Sequence, residues 1–224
     1  HYAGAFKSFA YWMLENERIK VAPKIKCVKF DEAERRAFGY EEWEQLLEAT
    51  RRGSVRYGLS GHERYVLYKV AYESGFRKNE LASLTRASFD FANNTIYIPG
   101  KNTKNRKRSF QIITPETMTL VWNYARNKMP DSKVFKLPKH PEWMIREDCK
   151  AAGIETENHN GKVQFHSTRH TLATHLADKG VSPKTVMEIM RHSNIKTTMK
   201  YFNHDMEGTK EAAIEKLRGF GENK

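Results

Sequence analysis

The sequence predicts a mainly helical α+β protein with one small antiparallel β-sheet, preceded by a fragment of a separate helical domain. Three observations carry this expectation. Most of the chain divides into segments with helical spacing of apolar residues, opened by capping residues or closed by glycine. Only residues 95–98 (TIYI) and 107–113 (KRSFQII) have strand character, and the stretch PGKNTKNR between them has hairpin composition. Hydrophobic residues make up 39% of the 224, enough to bury one sizeable core.

Residues 3–17 form an amphipathic helix with Phe6, Phe9, Trp12, Met13 and Leu14 on one broad face. Periodicity lapses from Ile19 to Glu34, where Pro23 and several lysines mark an extended basic linker. The chain is therefore divided into a helical fragment over 1–22, a linker over 23–38, a main domain over 39–205 and a helical tail over 206–224. In the main domain, one helix runs from Tyr40 to a C-terminal Gly53, and a second spans 62–74 and stops at Gly75. A short helix follows in FRKNELASLT. Thr114-Pro115-Glu116 opens the next, with threonine as N-cap and proline in the first turn. Residues 141–152 are helical up to Gly153, and 154–165 form a polar loop. A helix begins near Ser167 and stops at Gly180, and Ser182-Pro183 opens another that reaches Met190. Ser193 caps a last short helix carrying Tyr201, and Ala212, Ala213, Ile214 and Leu217 give the tail an apolar face.

A net charge of +12 points to a polyanionic partner, of which nucleic acid is the commonest. Cys27 and Cys149 stand far apart with no CxxC pair, which argues against a disulfide framework or a cysteine zinc site and for a reduced, cytoplasmic compartment. No apolar run is long enough to span a bilayer.

Four segments carry residue types suited to phosphate chemistry. In GFRKNEL, Arg77 and Glu80 are three apart, so the glutamate can hold the arginine; taken alone, this is an ordinary surface ion pair. In HSTRH, His166 and Arg169 sit at a helix N-terminus, where backbone N–H groups and a guanidinium both favour phosphate oxygens. His166 and His170, four apart, also admit a metal-site reading, which lacks an HExxH glutamate or a cysteine. Arg191-His192 precedes Tyr201 by nine residues; a tyrosine, with a pKa near 10, attacks a phosphodiester only where cations stabilise the developing charge. The hairpin holds Lys101, Lys104, Arg106, Lys107 and Arg108, either a solvated turn or a loop laid into a DNA groove.

Taken in order, SGFRKNELASLT, GKNTKNRKRSF, HSTRHTLATHLADKG, MRH and TTMKY resemble the tyrosine recombinase (phage integrase) family over roughly residues 40–205. The resemblance implies a catalytic domain of that type, with the end of a core-binding domain in 1–22. It implies that Arg77 and Arg169 clamp the scissile phosphate, that His192 donates a further hydrogen bond and that His166 takes the nucleophile's proton. A hairpin lysine, Lys104 in preference to Lys101, protonates the leaving oxygen, and Tyr201 forms a 3′-phosphotyrosyl link. Lys101, Arg106, Lys107, Arg108 and Arg191 are expected to contact DNA. Neither metal nor other cofactor is implied. The implied partner is double-stranded DNA bearing recombination sites, bound by a homotetramer whose subunits are monomers when free, in the cytoplasm at the nucleoid and away from membranes. Two departures stand out: Thr168 where leucine is usual before the second arginine, and Arg191 where glycine is frequent before the histidine. A non-catalytic DNA-binding module and a type IB topoisomerase-like relaxing enzyme remain the alternatives.

Overall fold

The computed structural model describes residues 2–25, 35–103, 108–159 and 161–202. They fall into two units, divided between Glu34 and Arg35. In the first, α1 (Tyr2–Glu15) buries only Ala10 and leaves Phe6, Phe9 and Trp12 exposed, with the Phe9 and Trp12 rings stacked at 5.9 Å. A single helix has no second apolar layer on which to bury such a face.

The second unit begins ahead of the expected residue 39 because Arg36 and Phe38 are already buried in it. Arg36 donates to both Glu42 carboxylate oxygens at 2.8 and 3.0 Å, and the Phe38 N–H donates to Thr171 Oγ1 at 2.9 Å. Helix α2 (Tyr40–Arg52) turns Trp43, Leu46 and Leu47 inward against α3 (Gly61–Ser74). The start of α3 crosses the end of α2 so closely that a Cβ on Gly61 would stand 2.4 Å from the carbonyl oxygens of Thr50 and Gly53. Gly53 ends α2 as expected, in an extended conformation at φ −69°, ψ 155°. Gly75 does take the left-handed conformation, at φ 58°, and ends α3.

Helix α3 is the central element, packed on α2, on α5 (Pro115–Ala125) and on α7 (Ser167–Asp178). It is tied to α6 (Pro141–Ala151) by a buried charge network: Arg64 Nε and Nη2 donate to Asp148 at 2.8 and 3.1 Å, and the Tyr68 hydroxyl at 2.8 Å. After α4 (Lys78–Ser83) comes a sheet of three strands, one more than expected: β1 (Phe89–Asp90), β2 (Thr95–Ile98) and β3 (Ser109–Ile112), antiparallel in that order. The register sets Ile98 opposite Ser109 and Ile96 opposite Gln111. Period-two alternation then puts Ile96, Ile98, Ser109 and Gln111 on the inner face and exposes Tyr97, Phe110 and Ile112. The expected polar loop contains a small hairpin, β4 (Glu157–Asn158) with β5 (Gly161–Lys162).

Helices α8 (Pro183–Met190) and α9 (Ile195–Met199) are the last described elements of the unit. The side chain capping α9 is Asn194 rather than Ser193: its Oδ1 accepts from the Lys196 N–H at 2.9 Å. Tyr201 stands two residues beyond the helix expected to carry it. The tail over 206–224 lies outside the described residues. No described helix is long and apolar enough to cross a membrane.

Candidate active site

The site forms where the ends of α3 and α8 meet the starts of α4 and α7. Arg77 is the N-cap of α4; its N–H donates to Glu80 Oε2 at 2.8 Å and its guanidinium to Oε1 at 3.2 Å. Glu80 is no surface partner, since it is only 2% exposed and takes a second guanidinium, Arg191 Nη2, at 2.7 Å. Burial works against the Glu80 carboxylate, yet the Arg77 N–H, Arg191 and the Arg77 guanidinium hold it below the usual carboxylate range. Arg169, on the first turn of α7, is buried and donates to the carbonyls of Gly75 and Met190, which join the end of α3 to the end of α8. Burial first, then Arg77 and Arg191, bring its pKa down to about 9; it is a cation at neutral pH.

His166 is the N-cap of α7, and burial, then Arg169, Arg35, Arg77 and His170, push it down to about 4. His192 meets the Thr198 hydroxyl through Nδ1 at 2.9 Å, and burial, then Arg169, Arg77 and Arg191, take it down to about 4. The Tyr201 ring packs on the cluster of Leu172, Ala173, Val186 and Met190. It meets His170 edge-on at 4.8 Å and lies parallel to His192 at 6.3 Å. Burial raises its pKa, opposed by Arg169 and Arg35. Five of the six residues expected to carry chemistry thus lie together: Arg77, His166, Arg169, His192 and Tyr201. The sixth, Lys104, lies outside the described residues with Arg106 and Lys107. Lys101 contributes its backbone to the turn Gly100–Asn102, its side chain being likewise outside the description, and Arg108 is exposed. Arg191, expected at the DNA surface, instead turns inward: besides Glu80, it donates to Ser109 Oγ at 3.2 Å and lies 4.8 Å over the Phe76 ring. A cleft of about 350 Å³ opens beside His166, between Phe76, Lys78, Arg146 and Gln164. Among the described residues, no three His, Cys, Asp or Glu side chains gather as a metal-binding group.

The description "Phage integrase family" fits residues 38–208. This chain belongs to that family. It is 26% identical to the tyrosine recombinase XerA of Saccharolobus solfataricus over 90% of this chain and 61% of that protein. It is 28% identical to XerC of Pediococcus pentosaceus over 88% of this chain and 68% of that protein. The chain therefore spans about two thirds of the length of these relatives. The structure of the Tn1549 transposon integrase in complex with a circular intermediate DNA superimposes with a TM-score of 0.69, at 18% identity, covering 96% of this chain and 77% of that one. The fold is the catalytic-domain fold of tyrosine recombinases.

Among the residues gathered around Tyr201, Arg35 and His170 had no role expected from the sequence beyond the metal-site reading of His170. His170 was visible only as a companion to His166, one turn away, whereas its ring faces Tyr201. Arg35 gave no signal within a basic linker, yet its charge reaches both Tyr201 and His166.

The two depressed histidines have a consequence for acid stability. A histidine in the unfolded chain titrates near pH ~6.5. His166 and His192 do so at about 4, so the unfolded state binds more protons between those values. Their contribution is full above about pH 6.5 and is lost as the pH falls toward about 4. Urea midpoints should decline from about pH 7 to about pH 5, and less steeply in His166→Gln. Equal slopes in the two proteins would refute this account.

Proposed function

We propose that this chain is the strand-cleaving part of a site-specific DNA recombinase that cuts and rejoins double-stranded DNA through a 3′-phosphotyrosyl link. The supporting observation is the convergence of two arginines and two histidines around Tyr201, in a chain of the phage integrase family. Arg77 and Arg169 hold the non-bridging oxygens of the scissile phosphate, and their positive charge opposes the negative charge that builds at phosphorus. With Nδ1 of His192 accepting from the Thr198 hydroxyl, the ring proton sits on Nε2, free to donate to the same phosphate. His166, neutral when DNA arrives, takes the Tyr201 proton; burial first and the arginines second depress its pKa, and the phosphate's negative charge offsets the arginines and draws it upward. The Tyr201 oxygen bonds to phosphorus as the bond to the 5′-oxygen breaks, and that oxygen leaves with a proton from Lys104. A 5′-hydroxyl from another strand reverses the step, which conserves the ester. The complete enzyme works as a tetramer on two synapsed sites, from monomers free in the cytoplasm.

The test is a nicked duplex, selected from a random-sequence pool for tight binding by the chain, in which cleavage releases a short strand that diffuses away. The expected product is a protein–DNA adduct stable to denaturant. No adduct from a chain that binds the duplex would leave a DNA-binding module only. The hairpin assignment has its own outcome: Lys104→Ala should abolish cleavage while Lys101→Ala only weakens it, and the reverse ranking would sink the choice of Lys104.

A further inference from the structure

Helix α8 ends in a left-handed turn. The Arg191 N–H returns to the Glu188 carbonyl and the His192 N–H to that of Met187, both at 3.0 Å, and Arg191 itself sits at φ 52°, ψ 44°. This is a glycine conformation, and a long side chain occupies it at a cost. The strained residue is also one whose side chain meets two other elements and the connection between α3 and α4. It grips Glu80, whose other partner is Arg77; it donates to Ser109 on the inner face of β3; and it lies over Phe76, next to Arg77 in sequence. Gln111 of the same strand donates to the Ile189 carbonyl at 2.5 Å, so the hairpin meets the end of α8 at two points. His192 is the next residue in the chain.

We infer that Arg191 is a positioning residue for strand cleavage, fixing Arg77 through Glu80 and the lysine-bearing hairpin through Ser109 relative to His192. The inference rests on the recombinase reading above. Glu80 gripped by Arg77 alone keeps one ion pair but loses the link to α8. Among the described residues, β3 then keeps only the Gln111 hydrogen bond to the end of α8. The inward guanidinium also separates this role from DNA binding. A phosphate contact removed by mutation lowers the salt slope of binding by about one and weakens binding to all sequences; a residue turned onto Glu80 and Ser109 does neither.

Three variants in the nicked-duplex assay test the inference. Arg191→Gly, in which the left-handed backbone is relaxed, should cleave about tenfold to a hundredfold more slowly, the range for groups that orient a primary ligand. Its DNA affinity and salt slope should match the parent. Arg191→Lys should recover part of the rate, because the ammonium reaches Glu80 without also holding Ser109. Ser109→Ala, a conservative change on a short strand, should slow cleavage several-fold in the parent and add nothing to Arg191→Gly, since the two act through one contact. Parental cleavage by Arg191→Gly, an additive double variant, or a salt slope reduced by about one would overturn the inference. In each of those cases the parent still forms its adduct and the recombinase reading stands. A parent that forms none removes both.

Discussion

Tyr201→Phe should bind its DNA with the parent's affinity and form no covalent adduct, a loss of about 10⁴-fold or more in strand cleavage. The substitution deletes one oxygen. The phenyl ring keeps its seat on Leu172, Ala173, Val186 and Met190 and its edge-on contact with His170, so the ends of α7 and α8 are undisturbed. The arginines proposed to receive phosphate are held by other contacts: Arg77 by Glu80, Arg169 by the carbonyls of Gly75 and Met190. Binding should therefore be retained while the atom proposed to attack phosphorus is gone. Filter binding and a denaturing gel on the same nicked duplex separate the two quantities. Residual adduct in Tyr201→Phe would mean that another side chain attacks, and the assignment of the nucleophile would fall. A parallel loss of DNA binding would instead show that the hydroxyl holds the phosphate before reaction.

What could be read from the sequence follows the range of the interactions involved. Gly75 was legible as a helix stop because a left-handed backbone is a local demand that glycine meets. The strand character of TIYI was likewise legible, because β-branched and aromatic side chains favour an extended backbone. The HSTRH box pointed to its own place at the start of α7, since His166 and Arg169 lie one turn apart. Other features depend on what arrives from elsewhere in the chain. Strand β1 has two residues and no period to detect, and it exists because β2 lies beside it. Ser193 and Asn194 are both competent caps, so local chemistry alone did not choose between them. Arginine at position 191 announced charge but not direction; its inward turn depends on Glu80, 111 residues earlier. The Arg77–Glu80 pair read as superficial for the same reason, because the residues that bury Glu80 are distant in sequence.

The largest loss of stability is expected from Asp148→Ala, a residue no motif singles out. Its carboxylate accepts from Arg64 Nε at 2.8 Å and Nη2 at 3.1 Å, from Arg56 Nη1 at 2.5 Å and from the Tyr68 hydroxyl at 2.8 Å. Arg64 is fully buried, and its Nη1 is committed to the carbonyls of Leu59 and Ser54. Deleting the carboxylate leaves that guanidinium in the core with no counter-charge. Breaking one side of such a pair costs about 3–5 kcal/mol, a large part of the ~5–15 kcal/mol that holds a typical domain folded. The pair itself contributes far less, because desolvating two ions consumes most of their attraction. Replacing both members, as in Arg64→Met with Asp148→Leu, should therefore recover part of the loss, less what is left unmatched: the two carbonyls that Arg64 served, and the buried Tyr68 hydroxyl and the Arg56 guanidinium that Asp148 served. Urea unfolding of the parent, the single variants and the double variant closes the cycle. A single-variant loss below about 1 kcal/mol would place the Arg64 charge in contact with water and contradict its burial. An Asp148→Ala protein that remains folded at low temperature should still form the Tyr201 adduct, because the network ties α3 to α6 while Gly75, Arg77 and Arg169 keep their own contacts. Equal temperature dependence of unfolding and of lost cleavage in that variant would locate its defect in the scaffold and not in the chemistry.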